Sequence, residues 1–194
     1  MKKRMMGIIL ASALYSMPCK SAFAEIRFDW QDSPVKAEQR KLLEDKVISS
    51  ALRYTESKYA DFGEYNFATC QEVYTVRFDD VGQLGEFWTG NNGGTFFFDA
   101  SLANKTTMLE VVALHEFCHG YDMVYGEIRV NEIYKNAKTT KEKREAMDKA
   151  SEIQRIRSNT ENHSRIKEKL FVDEIRNRLS DSDYDELKPR YDNL

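Results

Sequence analysis

Apolar and polar positions alternate over residues 25–30, where Ile26, Phe28 and Trp30 interleave with Glu25, Arg27 and Asp29; this two-residue period predicts a strand. Asp32-Ser33-Pro34 reads as a helix start. Leu42, Leu43, Val47, Ile48, Ala51 and Leu52 then recur at helical spacing and predict a helix over residues 35–61. Gly63 punctuates the pattern. Val73, Thr75, Val76 and Phe78 predict a strand over residues 72–78. Residues 81–94 contain five glycines and two asparagines and read as loop. Thr95-Phe96-Phe97-Phe98 reads as a short strand. Beyond it the pattern turns helical. Thr107-x-x-Glu110 has the form of a capping box, and Met108, Leu109, Val111, Val112, Ala113 and Leu114 follow without Pro or Gly. Gly126 is expected to break or bend that helix. Residues 132–159 are mostly polar, helical from about Lys141, and expected to be a solvated helix or a mobile flap. A last helix is expected over residues 162–179, and the acidic tail from Ser180 is expected to be loose. Strands first and helices after predict an α+β fold.

The long apolar helix carries the chemistry. It contains His115-Glu116-Phe117-Cys118-His119, an H-E-x-x-H pattern. Residues four apart on a helix stand one turn above each other, so both imidazoles point the same way and can share one Zn²⁺. Glu116 lies about 100° round the helix, placed to reach a water on the metal without competing for the metal. The chain has only three histidines in 194 residues, so background usage yields this pattern in well under about 1% of such chains. The bland alternative is two core histidines with a solvated glutamate.

Composition narrows the setting. Lys2, Lys3 and Arg4, a short apolar run and Ala22-Phe23-Ala24 have the form of a secretory leader over residues 1–24, with one domain over residues 25–194. The expected location is therefore periplasmic or extracellular. Net charge is −3 for the whole chain, and removing Lys2, Lys3, Arg4 and Lys20 takes it to −7. Such a surface advertises neither nucleic-acid nor anionic-membrane binding. Cys70 and Cys118 remain after the leader; a disulfide between them and a pair of buried thiols are both open. Cys118 points about 60° away from His115, on the side opposite His119, and is not expected as a zinc ligand.

The motif and the order of elements resemble the zincin metallopeptidases, reduced to a minimal domain with a small mixed sheet packed on the motif helix. The resemblance implies a zinc-dependent peptidase with a peptide or protein substrate. It also implies that residues 93–98 form an antiparallel edge strand holding extended substrate. Their other reading is a plain core strand. The metzincin branch resembles H-E-x-x-H-x-x-G-x-x-H, but Asp122 and Tyr125 stand where its glycine and last ligand would be, which excludes that branch. The gluzincin branch takes a glutamate from a later helix, and a long separation before that helix is similar to the anthrax lethal-factor type.

The candidate third ligand is Glu174. On a wheel of about 100° per residue with Leu170 at zero, Phe171, Val172, Ile175 and Leu179 span an apolar arc, and Glu174 falls between Leu170 and Phe171. Its bland reading is a surface pair with Arg178. Glu127 and Glu132 are rivals that follow His119 closely. Asp122 shares the histidine face but is too far along the axis to reach the metal; it either orients His119 or is a solvated acid. Tyr121, Tyr125, Tyr134, Tyr184 and Tyr191 are candidates for stabilising a developing oxyanion; His163 joins them only if the chain breaks between it and Glu174, and otherwise reads as a solvated or N-terminal helix residue. The expected chemistry is peptide hydrolysis by a zinc-activated water, with His115, His119 and Glu174 as ligands and Glu116 as general base. The alternative is an exported, non-catalytic zinc-binding or toxin-like module, which predicts a closed site with a fourth ligand such as Cys118 or Asp122.

Overall fold

A computed structural model describes residues 25–54, 73–90 and 93–191. Among these, four strands form one mixed sheet and six α-helices are present, five of them after the strands. The chain divides into two compact units, residues 1–113 and 114–194. The expected leader and Cys70 lie outside the described residues. No described helix is long and apolar enough to cross a membrane.

In the first unit the sheet order is β1 (Glu25–Asp29), β2 (Val73–Asp79), β4 (Gly93–Asp99), β3 (Gly85–Gly90). β1 and β2 are parallel, as are β2 and β4, while β3 runs antiparallel to β4. Parallel neighbours need a crossover, and α1 (Ala37–Tyr54) lies on the connection from β1 to β2. Alternation works as the sequence implies. Tyr74, Val76 and Phe78 of β2 and Phe96 and Phe98 of β4 are buried, whereas Phe97 is partly exposed. In register, Val76 faces Phe96 and Phe78 faces Phe98, and the Phe78 and Phe98 rings lie 5.6 Å apart.

Two readings of this region change. Residues 81–94 are not all loop, because β3 occupies Gly85–Gly90. Its glycines weaken the strand signal, but pairing with β4 overrides it, and the Phe87 ring lies tilted against Phe96 with centroids 4.6 Å apart. Gly94 makes this packing possible. A Cβ there would overlap the Phe87 ring and lie 2.8 Å from the Trp88 carbonyl oxygen. Residues 93–98 are therefore an inner strand, and the antiparallel edge is β3. Trp88, 58% exposed, stands on that edge strand.

Helix α2 (Thr106–Gly120) starts one residue before the expected cap. Glu110 is buried and ion-paired with Lys46 of α1. The helix does not stop at Gly126. It passes through a π-helical turn, Tyr121–Tyr125, into α3 (Gly126–Asn136). The use of glycine at 126 is close approach rather than a break: a Cβ would lie 2.8 Å from Arg157 Cδ and 3.3 Å from Ile153 Cγ2.

Helix α4 (Thr140–Arg157) opens on a reciprocal capping box, with Thr139 accepting from the Glu142 N–H and Glu142 accepting from the Thr139 N–H. It is not wholly solvated, because Ala146, Ala150 and Ile153 form a buried stripe. Helix α5 (Thr160–Ile175) follows. The tail is also ordered as far as Tyr191. Ser180 caps α6 (Asp181–Leu187), and Leu187 and Tyr191 are buried.

Candidate metal centre

The site is built from two helical stripes in the second unit. One is the i, i+4 pair His115 and His119 on α2. The other is Glu161, Ser164 and Glu168 on α5, spaced i, i+3, i+7 and therefore on one face. His115 Nε2 and His119 Nε2 are 3.0 Å apart. Glu161 Oε2 lies 3.1 Å from His119 Nε2 and 3.6 Å from His115 Nε2. These three atoms form a group that could hold a metal ion. A tetrahedral centre with bonds of about 2.0–2.2 Å spaces its ligand atoms about 3.3 Å apart, so the donor set fits a small divalent cation.

The far nitrogens are engaged as well. His119 Nδ1 is 3.1 Å from Thr160 Oγ1 and 3.3 Å from Ser164 Oγ. The Thr160 hydroxyl donates to Asp122 Oδ2 at 2.8 Å, so His119 Nδ1–H can donate to Thr160 and leave Nε2 as the lone-pair donor. His115 Nδ1 is 2.5 Å from Glu168 Oε2. Glu168 is fully buried and accepts from Tyr191 Oη at 2.6 Å, with Arg190 Nη2 3.2 Å away. Carboxylates and hydroxyls behind the histidines fix ring orientation and raise the basicity of the metal-facing nitrogen.

Charge is concentrated here. Burial pulls the His115 imidazole down, but Glu161 and Glu168 outweigh it and lift it to about 9. A metal ion held there would compete with the proton for the same nitrogen. Burial would raise Glu168, but His115, Arg190 and Tyr191 hold it below the usual carboxylate range. The histidines hold Glu161 below that range as well. Glu116 is 4% exposed, and burial pushes its carboxyl up against the opposing pull of His115 and His119. Burial likewise pushes the Cys118 thiol up.

His115, His119 and Glu116 thus fall in one place, and Glu174 does not join them. Leu170 is 52% exposed and Glu174 is exposed too, so zero on the wheel faces solvent. The acid that reaches the Nε2 atoms of both histidines is Glu161, in the first turn of α5. Glu132 is exposed, and the Glu127 side chain lies outside the described ones. Asp122 is fully buried in the π-helical turn and acts on His119 through Thr160. His163 faces Asp122 and Cys118, with Nδ1 2.7 Å from Asp122 Oδ2 and 3.5 Å from Cys118 Sγ. The motif does not single out Thr160, Glu161, Ser164, Glu168 or Arg190, and Tyr191, one of the tyrosines offered for the oxyanion, donates to Glu168. The signal was present on the same wheel, where Glu161 falls at about 180° and Glu168 at about 160°, both inside the arc of Phe171, Val172, Ile175 and Leu179. No protein-family model, curated protein or solved structure matches this chain.

Proposed function

We propose that this chain is an exported zinc-dependent metallopeptidase, with His115, His119 and Glu161 as the metal ligands. The observation that carries this reading is the convergence of His115 Nε2, His119 Nε2 and Glu161 Oε2 at 3.0–3.6 Å. All three are lone-pair donors, and zinc accepts two imidazoles and one carboxylate with a position left for water or substrate. Zinc held there supplies a Lewis acid that polarises a carbonyl and acidifies water. The remaining steps belong to the chain. Glu116, next to His115 and buried beside the charged cluster, accepts the proton of the attacking water and delivers it to the leaving amine. Glu168, held by Tyr191 and Arg190, fixes His115, while Thr160 and Ser164 fix His119.

The non-catalytic alternative requires a fourth protein ligand. Cys118 and Asp122 belong to a separate group around His163, which favours the open arrangement. The test is Glu116→Gln. Zinc content is expected to match that of the unaltered chain, with peptide hydrolysis lowered by at least about 100-fold, as for loss of a general base. Hydrolysis at the original rate with zinc bound contradicts the mechanism.

A further inference from the structure

A second convergence of ligand atoms lies beside the first and is not used by it. Cys118 and Asp122 are one helical turn apart, on a stripe about 60° from that of His115 and His119. His163 of α5 points Nδ1 between them. Nδ1 is 3.5 Å from Cys118 Sγ and 2.7 Å from Asp122 Oδ2, and Sγ and Oδ2 are 4.0 Å apart. Sulfur, nitrogen and oxygen therefore surround one point within a sphere of bonding size.

Three features of this group are those of a cation site. Asp122 is fully buried, and among the described residues its only ion-pair partner is His163. Its Oδ1 has no hydrogen-bond partner among those residues. A buried carboxylate without Lys or Arg is costly unless an imidazolium or a metal neutralises it. In addition, sulfur and carboxylate crowd the same ring nitrogen. A cysteine nucleophile would need its base and the orienting carboxylate on opposite nitrogens, and it would need access to substrate. Here both contacts fall on Nδ1, and Cys118 is fully buried. Ligation is the chemistry that places three donor atoms round one point. Zinc bonds of about 2.3 Å to sulfur and 2.0–2.2 Å to nitrogen and oxygen give ligand separations of about 3.4–3.6 Å. The observed separations straddle that range, and an outward shift of His163 from Asp122 by under about 1 Å meets it. His163 is partly exposed and gives the cation a way in.

We propose that Cys118, Asp122 and His163 form a second cation site, selective for a thiolate-accepting divalent metal of the zinc type. On binding, the thiol proton leaves to solvent as the metal–sulfur bond forms, and His163 binds as the neutral ring. The site is coupled to the first, because Thr160 Oγ1 bridges Asp122 Oδ2 and His119 Nδ1. The proposal stands whether or not the chain cuts peptides.

Cobalt(II) separates the two sites, because only the second contains sulfur. Titrated with cobalt under reducing conditions, the purified chain is expected to take up about two ions and to show a thiolate-to-cobalt charge-transfer band in the near ultraviolet. Cys118→Ser is expected to lose the band and about one ion. The double variant His115→Ala/His119→Ala is expected to keep the band and lose the other ion, which shows that the second site holds a cation without the first. Cobalt uptake without the band, a band that survives Cys118→Ser, or a band lost with the two histidines would each overturn the proposal. So would a Cys70–Cys118 disulfide in the chain as isolated without reductant.

Discussion

Glu168 has the most demanding environment of any side chain at the site. It is fully buried, accepts from Tyr191, and faces both His115 and Arg190. Its charge orients one histidine and compensates one arginine at once. Glu168→Gln keeps the shape and the Tyr191 contact but removes that charge. Loss of such a partner behind a metal-binding histidine typically weakens metal binding by about 10–100-fold. A zinc-competition titration against a chelator is expected to show a loss of that size, and unchanged affinity would mean that Glu168 serves only the packing. At this scale the sequence was partly legible. H-E-x-x-H identifies His115, Glu116 and His119 because the spacing itself states the geometry. Glu161 is legible only on the wheel of α5, where it falls inside the apolar arc; by type alone an acid in the first turn of a polar helix looks like an ordinary solvated residue. Glu174 drew attention instead because it borders an apolar run, yet Leu170, the residue that made the run seem to reach it, is exposed.

Among the elements, β4 was readable from three consecutive aromatics, and α2 from its unbroken apolar lead. β3 was not, because its glycines signal a turn wherever no partner strand is known. The structure gives Gly94 of β4 a use that no local pattern reveals. It leaves room for Phe87 across the strand pair and for the Trp88 carbonyl. Gly94→Ala forces a methyl against backbone and ring, and overpacking of this kind costs about 1–3 kcal/mol. Urea unfolding is expected to show a lowered midpoint with an unchanged slope, and equal stability would contradict the packing described. Gly126 shows the same limit of local reading. A helix-breaking residue by propensity, it lies within helix and admits Arg157 and Ile153. The tail from Ser180 likewise looks loose by composition, yet a serine cap and buried Leu187 and Tyr191 order it.

For the molecule as a whole, strand-then-helix order correctly implied an α+β chain, and the motif implied a metal. What could not be read was which later acid returns to the motif, because that depends on how α3, α4 and α5 turn back in space. Glu161 is the acid that stands with His115 and His119 in the group that could hold a metal ion. The most direct measurement is zinc content of the purified chain beside Glu161→Ala and Glu174→Ala, after dialysis against the same weak chelator. Glu161→Ala is expected to hold about one zinc ion fewer, because a three-ligand site loses most of its affinity with one ligand, while Glu174→Ala keeps the full complement. Full zinc in Glu161→Ala together with loss in Glu174→Ala would contradict the assignment and return the third ligand to the later acid.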